Sequence, residues 1–257
     1  MYKIKRIEKL KKKGIYKIHF DHFDDVTLHE DVILSHGVLL KNELTEFEIN
    51  DLKSANMFSS AYYQSIKFIS TKLRSKHELR KYLTKEEYFP EVANEVIEKL
   101  ENQGYINDKV YAKSFANTVL RTTNKGIDYI RKTLSEHQIG NEIVEEVISG
   151  LDYQEEYDKL YKLVSKRVQS NKKYSKKVLR EKLFYDFKTK GFETDLINEV
   201  FNEIDFTLPT NKLEKEVSKL MRKHNDKYKV KQLLMKKGFS SEQIENAMRD
   251  EGLDGFY

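Results

Sequence analysis

The chain has 257 residues, of which 35% are charged and 39% hydrophobic, and its formal net charge is +5. Two prolines among so many Lys, Glu and Leu residues favour a helix-dominated protein over a β-sandwich. Because cysteine is absent, disulfides, thiolate zinc sites and cysteine nucleophiles are excluded.

Neither a secretory signal nor a membrane-spanning helix is expected from the sequence. The first residues, Met-Tyr-Lys-Ile-Lys-Arg, are basic and lack the apolar core of a secretory signal. The most apolar stretch, residues 32–40, is interrupted by Ser35, His36 and Gly37. It is far shorter than the ~18 apolar residues that a membrane span requires. We therefore expect a cytoplasmic protein that does not contact a membrane.

The N-terminal part is predicted to be a small β module. Residues 16–20 and 26–29 alternate between apolar and polar side chains on either side of Asp24 and Asp25, which is typical of a β-hairpin. Residues 3–10 are predicted to add a third strand to this hairpin.

Two helices are predicted to follow the hairpin. Asp31 is expected to cap a short helix that ends near Gly37. Thr45 and Glu48 have the spacing of a capping box, so a longer helix is expected to begin there.

Beyond residue 58 the sequence repeats itself with a period near fifty residues, which indicates an array of similar units. Apolar anchor positions recur 51, 53 and 47 residues apart, and apolar residues follow each anchor four and nine positions later. The four anchors are Leu79, Ile130, Leu183 and Val230. Each repeat is predicted to contain three helices, with the anchor residue on the second helix.

The turn after each anchor helix is expected at a specific place. It is predicted at residues 85–87 in the first repeat and at Gly140, Gly191 and Gly238 in the other three repeats. Ser75 with Glu78, and Ser240 with Gln243, have the spacing of further capping boxes.

The predicted fold is mostly α, with about four tandem three-helix repeats in an elongated array after a small N-terminal β-hairpin module. One repeat alone buries too few apolar side chains to offset the entropy of ordering fifty residues, so neighbouring repeats are expected to stack. The predicted boundaries are 1–58 for the β module and 59–107, 108–153, 154–207 and 208–257 for the repeats.

Charge is segregated along the chain. Residues 159–182 contain ten Lys or Arg and one acid, residues 212–237 contain ten against three, and residues 142–158 carry a charge of −7. These segments are either solvated faces that pair with one another or a basic edge that binds phosphates or an acidic protein surface. Most aromatic residues occupy core positions, but Tyr161 and Tyr174 lie within the most basic stretch and could stack on bases.

Motifs for catalysis and for cofactors are missing from the sequence. It contains neither a phosphate-binding loop of the Gly-x-x-x-x-Gly-Lys-Ser/Thr type nor a Gly-x-Gly-x-x-Gly fingerprint. His19, Asp21, His22, Asp24 and Asp25 resemble metal ligands, but such residues are ordinary in a hairpin turn. We expect no catalytic residue, no cofactor and no metal, and hence no enzyme.

A family motif lies between the first and second repeats. Residues 104–115 read Gly104-Tyr105-Ile106-Asn107-Asp108-Lys109-Val110-Tyr111-Ala112-Lys113-Ser114-Phe115, which resembles the Gly-Tyr-(Leu/Ile)-(Asp/Asn)-Asp-x-x-Tyr-Ala-x-x-Phe segment of bacterial RecX regulatory proteins. The first two repeats of that family are similar to Ser75-x-x-Glu78-Leu79-Arg80-x-x-Leu83 and to Lys125-Gly126-Ile127-x-x-Ile130-Arg131-x-x-Leu134.

The resemblance covers residues 60–257, and the β module resembles the extension of members from low-GC Gram-positive bacteria. Two features depart from the family pattern. Glu87 occupies the usual glycine position of the first repeat, and a fourth repeat exceeds the three of shorter members.

The resemblance implies a cytoplasmic, monomeric modulator of the RecA recombinase, with RecA filaments as its partner. Such a protein binds the RecA–DNA filament along its groove and inhibits ATP hydrolysis, strand exchange and co-protease activity. Single- or double-stranded DNA is a further partner. The alternative is a DNA-binding helical-repeat protein that acts mainly through its basic helices.

Contacts with RecA or DNA are predicted at ten basic residues. They lie on the anchor helices and in the segment that precedes the third of them: Arg80, Lys81, Arg131, Lys132, Lys172, Lys173, Lys176, Lys177, Arg180 and Lys182.

Overall fold

The computed structural model describes residues 1–207 and 210–250. The structure divides into two compact units, one of residues 1–112 with 137–139 and one of residues 113–136 with the chain from Gly140 onward. The first and last residues of the predicted fourth repeat, 208 and 257, lie outside the described residues.

The N-terminal sheet is antiparallel, with the strand order β3-β2-β1-β4. Its strands are β1 (Tyr2–Lys9), β2 (Ile15–Phe20), β3 (Val26–His29) and β4 (Glu43–Leu44). The three predicted strands are therefore confirmed, whereas the two-residue β4 was not expected from the sequence. Its buried Leu44 helps to close the module's core.

Two helices follow the hairpin, α1 (Glu30–Ser35) and α2 (Glu46–Ile69). The expectation that Asp31 caps α1 is wrong, because the N-cap residue is His29 and it makes no side-chain cap. Asp31 lies in the first turn instead, where its carboxylate accepts a hydrogen bond of 3.0 Å from Ser59 Oγ on α2. The acid therefore ties the two helices together.

The capping box that begins α2 is confirmed. Glu48 N donates to Thr45 Oγ1 at 3.2 Å, and Thr45 N donates to Glu48 Oε2 at 2.8 Å. The 24 residues of α2 run without interruption through residue 58, so the β module and the first repeat share one helix.

The remaining helices form the repeats, in which a first helix, an anchor helix and a third helix follow one another. They are α3 (Lys76–Lys85), α4 (Pro90–Asn102), α5 (Asp108–Thr122), α6 (Ile127–Glu136), α7 (Asn141–Ser149), α8 (Tyr153–Gln169), α9 (Lys176–Thr189), α10 (Thr194–Glu203), α11 (Thr210–His224), α12 (Lys227–Lys236) and α13 (Ser241–Asp250). The anchors on α3, α6, α9 and α12 are all buried, and the tandem three-helix fold is confirmed. Both further capping boxes, at Ser75 and Ser240, are also present.

The residue eight positions after each anchor has a left-handed backbone conformation, with a positive φ angle. Its φ angle is 63° at Glu87, 55° at Gln138, 84° at Gly191 and 87° at Gly238. The turn assigned to Gly140 is wrong by two residues, since Gly140 has φ −59° and precedes α7 as its N-cap. The distance from the anchor, and not the nearest glycine, sets where the chain turns.

These turns satisfy the carbonyls at the end of the anchor helix. In three repeats the amide that follows the left-handed residue donates to the carbonyl four positions after the anchor. The pairs are Tyr88 to Leu83 (3.1 Å), Phe192 to Phe187 (3.1 Å) and Phe239 to Leu234 (3.2 Å). An aromatic side chain is thereby returned to the core at each turn.

The start of one anchor helix lies against the left-handed turn of the following repeat. In the second unit Gly126 N donates to Lys190 O at 3.0 Å, and Asp128 N donates to Gly191 O at 2.9 Å. Further along, Ser175 N donates to Lys237 O at 3.0 Å. In each case a backbone amide of one repeat pairs with a turn carbonyl of the next.

In the first unit, the first repeat contacts the left-handed turn of the second repeat through side chains. The ring of His77, on the first turn of α3, stacks on the ring of His137 with centroids 6.2 Å apart. Tyr111 Oη lies 2.8 Å from Nδ1 of the same His137. We call this contact between successive repeats the junction.

Two glycines make the junction between the second and third repeats close. A Cβ atom on Gly126 would overlap the backbone of Gly191, and a Cβ atom on Gly191 would overlap the backbone of Tyr129. The backbones can approach this closely only because neither residue has a side chain.

A buried charge supports the same junction. Glu156 on α8 is 2% exposed and accepts a 2.8 Å hydrogen bond from Ile127 N, the first residue of α6. Burial raises the pKa of Glu156 to about 7, despite this hydrogen bond and the nearby ammonium group of Lys159. Lys159 Nζ in turn donates to Leu120 O at 2.9 Å and to Lys125 O at 2.5 Å.

Replacing Gly191 by Ala is expected to weaken the second unit. The left-handed φ costs an L-residue about 1–2 kcal/mol, and the overlap with Tyr129 adds to that cost. Urea unfolding should therefore show a loss of at least about 2 kcal/mol. Gly150→Ala is the matched control, because Gly150 has φ −86° and room for a Cβ atom, and it should change stability little. Equal stability of the two variants would contradict the junction model.

The pH dependence of stability should change when Glu156 is replaced by Gln. The pKa of the Glu156 carboxyl group rises from 4.5 to about 7 on folding. Its contribution to the free energy of unfolding therefore falls by about 3 kcal/mol as the pH rises through that range. The stability of Glu156→Gln relative to the parent protein should therefore increase by about this amount between pH 4 and pH 8. Exposed Glu142→Gln serves as the control, and an identical pH response of the two variants would refute the assignment.

Candidate functional site

A basic groove lies in the second unit between the end of α8, the α8–α9 loop, α9 and α11. Its volume is about 780 Å³. Seven cationic side chains line this basic groove: Arg167, Lys172, Lys173, Lys182, Lys212, Lys215 and Lys219. The lining contains one carboxylate, that of Glu216, which is 7% exposed and forms an ion pair with Lys237. Within residues 1–207 and 210–250, none of the seven cations forms an ion pair.

A buried asparagine shapes the loop that carries two of these lysines. Asn171 Oδ1 accepts hydrogen bonds from the backbone amides of Lys173 at 3.3 Å and Tyr174 at 3.1 Å. Its Nδ2 donates to Tyr174 O at 2.7 Å. Because all three bonds are made inside the loop, Lys172 and Lys173 remain exposed at the groove.

Tyr174 holds two lysines beside each other. Lys173 Nζ and Lys182 Nζ lie 5.4 Å and 5.1 Å from the centroid of the Tyr174 ring. This distance is that of a cation–π interaction, which restricts the ammonium groups without neutralising them. Tyr174 is one of the two tyrosines that could stack on bases; its ring contacts these two lysines, and base stacking stays a prediction.

Helix α11 supplies the opposite side of the basic groove. Lys212, Lys215 and Lys219 are spaced by three and four residues, so they lie on one face of the helix. Lys212 Nζ also donates to Gln169 O at 3.0 Å, at the end of α8. The sequence-based set omitted these three lysines and Arg167, although the helical spacing on α11 could have revealed the first three.

The predicted contact residues of the third repeat fall into two groups. Lys172, Lys173 and Lys182 line the basic groove, whereas Lys176, Lys177 and Arg180 do not. Arg180 donates to Asn202 Oδ1 at 3.1 Å and lies over the rings of Phe201 and Phe206. Its side chain therefore packs α9 against the end of α10.

The two predicted arginines on the earlier anchor helices make contacts within their own repeats. Arg80 Nε donates to Asn94 at 3.2 Å, and Arg131 Nε donates to Glu145 at 3.0 Å. Each bond joins the anchor helix to the third helix fourteen residues later, and Lys231 pairs with Glu245 in the same way at 2.7 Å.

Arg131 is further surrounded by carboxylates, with Asp128 at 2.8 Å and Glu193 at 3.6 Å. Lys132 is exposed and lies 3.9 Å from Glu136, and Lys81 is exposed on α3. A structural role is thus evident for the arginines, and their predicted partner contacts stay predictions.

His19 in the hairpin lies within hydrogen-bond distance of two carboxylates. His19 Nε2 lies 3.1 Å from Glu8, and its Nδ1 lies 2.9 Å from Asp25. Among the residues that the structure describes, no group of three His, Cys, Asp or Glu side chains has the arrangement of a metal site. None of the described helices is both long and apolar enough to cross a membrane.

Comparison with known proteins identifies the family. The family model described as "RecX, first three-helix domain" matches residues 61–100. A protein of Listeria monocytogenes named regulatory protein RecX is 32% identical over 251 residues, which cover 93% of each chain. The chain belongs to the RecX family. A regulatory protein RecX of Streptococcus agalactiae is 30% identical over 261 residues, covering 96% of this chain and 99% of that protein.

Solved structures of RecX proteins share the fold. A crystal structure of regulatory protein RecX has a TM-score of 0.68 and 25% identity, and the match covers 79% of this chain and all of that one. RecX from Lactobacillus salivarius has a TM-score of 0.54 and 28% identity, with 58% of this chain and 97% of that one covered. The resemblance inferred from residues 104–115 is thus confirmed.

We expect the lysines that line the basic groove to contribute more to the binding of polyanions than lysines outside it. Replacing Lys173 and Lys182 by Gln removes two groove charges, whereas Lys176 and Lys177, on the first turn of α9, provide a control pair outside the groove. Each lost phosphate contact should lower the slope of log K against log salt by nearly 1. DNA-binding titrations at several salt concentrations should therefore show a smaller slope for the groove pair alone. Equal slopes for the two double variants would contradict the assignment.

Proposed function

We propose that this RecX-family chain is a cytoplasmic, monomeric regulator that binds RecA filaments on DNA and inhibits their ATPase, strand-exchange and co-protease activities. It acts by binding and not by catalysis. Membership of the family supports the proposal most directly, because a protein named regulatory protein RecX matches 93% of the chain. The action on RecA is what the family name and the residues of the motif imply for this chain.

The repeats suit a filament as partner. A filament presents the same surface again and again, and a chain of similar three-helix units can contact several copies at once. Contacts that are individually weak then act together, because the first contact raises the effective concentration for the next. The basic groove supplies one such contact, for DNA phosphates or for acidic side chains of the filament.

A DNA-binding helical-repeat protein is the second candidate. It is favoured by the seven groove cations, since none of them pairs with a carboxylate in the described part of the chain. The two candidates differ in the ligand that binds more tightly. A RecA regulator binds a preformed RecA–DNA filament more tightly than the same DNA alone, whereas a DNA-binding protein does not.

The RecA ATPase assay tests the proposal. Addition of the protein to RecA on single-stranded DNA should slow ATP hydrolysis, and the Lys173→Gln/Lys182→Gln variant should require a higher concentration for the same effect. The Lys176→Gln/Lys177→Gln variant serves as the control and should act more like the parent protein. An unchanged ATPase rate at concentrations that saturate the filament would contradict the proposal, and slowing only at concentrations that displace RecA from the DNA would support the DNA-binding alternative instead.

A further inference from the structure

A polar cleft of about 560 Å³ lies in the first unit, far along the sequence from the basic groove. It is formed where the β1–β2 turn, the beginning of α1, α2 and α3 meet. Two lysines of the turn, Lys12 and Lys13, face side chains of α2 across the cleft. We call it the N-terminal cleft, and its volume falls within the ~300–1,000 Å³ of small-molecule sites.

The α2 side chains of the N-terminal cleft lie on one face of the helix. Ser60, Tyr63 and Lys67 are spaced by three and four residues, and all three line the cleft. One hydroxyl group, one aromatic ring and one ammonium group are therefore presented together. Tyr63 remains 48% exposed, which leaves ring surface for a ligand.

His29 connects the β module to this face. Its backbone amide donates to Asn56 Oδ1 at 2.7 Å, and its Nε2 lies 3.0 Å from Ser60 Oγ. Its ring stacks on Tyr63 with centroids 5.1 Å apart and an interplanar angle of 22°. The imidazole and the phenol are thus held in a fixed arrangement at the floor of the cleft.

The charge of the N-terminal cleft favours an anion. Lys12, Lys13 and Lys67 are exposed, and none of them forms an ion pair within the described residues. Glu30 is the lining's one carboxylate, so the lining carries an excess of positive charge. Burial lowers the pKa of His29, the carboxylate of Asp31 raises it, and the nearby Lys12 lowers it. An anion bound here would place a further negative charge near the ring, which favours the protonated imidazole.

We propose that the N-terminal cleft binds the phosphate group of a nucleotide, carried by a free nucleoside triphosphate or by the 5′ end of a nucleic-acid strand. The three lysines and the Ser60 hydroxyl contact the phosphate, and the exposed part of the Tyr63 ring packs against the base. An aromatic surface beside several cations suits a nucleotide better than an acidic peptide, which offers carboxylates without a planar base. This site is separate from the basic groove and does not depend on the regulation of RecA.

The test uses the full chain and three probes: ATP, a short oligothymidylate with a 5′ phosphate, and the same oligothymidylate with a 5′ hydroxyl. Binding is measured by calorimetry, and the His29 ring is followed by NMR during a pH titration. ATP, the 5′ phosphate or both should raise the pKa of His29, whereas the 5′ hydroxyl should not. Which of the two phosphate probes acts identifies the source of the phosphate.

Two double variants separate this cleft from other basic surfaces. Lys12→Gln/Lys67→Gln should weaken phosphate binding by about a hundredfold, because each of the two lost charged hydrogen bonds is worth roughly a factor of ten. Lys5→Gln/Lys85→Gln removes the same charge from exposed positions outside the cleft and should have little effect. Lys173→Gln/Lys182→Gln in the basic groove should leave the His29 response intact.

The opposite results would overturn the proposal. It fails if neither phosphate probe shifts His29, or if the 5′ hydroxyl strand shifts His29 as much as the 5′ phosphate strand. It also fails if an oligoglutamate peptide displaces ATP at lower concentration than ATP displaces the peptide. Circular dichroism of each variant verifies that the fold is retained in these comparisons.

Discussion

The junction between an anchor helix and the left-handed turn of the next repeat organises the second unit. Each repeat reverses its chain eight residues after the anchor, and in the third and fourth repeats the carbonyls at that reversal accept hydrogen bonds from backbone amides of the preceding repeat. Ser175 N binds Lys237 O, and the ammonium group of the same Lys237 pairs with Glu216 on α11. One residue of the fourth repeat therefore fixes both the α8–α9 loop and α11, which are the two sides of the basic groove.

The charged side chains at the junction between the second and third repeats and those in the basic groove have different partners. Glu156 and Lys159 are largely removed from solvent and bind backbone groups, so they stabilise the contact between repeats. The groove lysines are held by other means. Tyr174 restrains Lys173 and Lys182 through its ring, and no carboxylate in the described residues neutralises them. Their charge is thus available to a ligand, which is what a protein that binds a polyanionic filament requires.

Local interactions explain which parts of the fold were predictable from sequence. Capping boxes at Thr45, Ser75 and Ser240 depend on residues three positions apart, and the repeat anchors depend on a helical period, so both were found. The turn at Gln138 was missed because a non-glycine residue adopts the left-handed conformation there. Three of the seven groove cations were predicted; the spacing of Lys212, Lys215 and Lys219 places them on one face of α11, but the tertiary contact that brings this face to the α8–α9 loop leaves no sequence pattern.

The dependence of the groove on the junction can be tested directly with Gly238→Ala. Gly238 has φ 87°, and a Cβ atom there would overlap Ser175 Oγ and Val178. Hydrogen exchange of the α8–α9 loop should become faster in this variant, and its affinity for the RecA–DNA filament should fall toward that of Lys173→Gln/Lys182→Gln. Faster exchange in the loop with unchanged filament affinity would show that the junction does not position the binding groove.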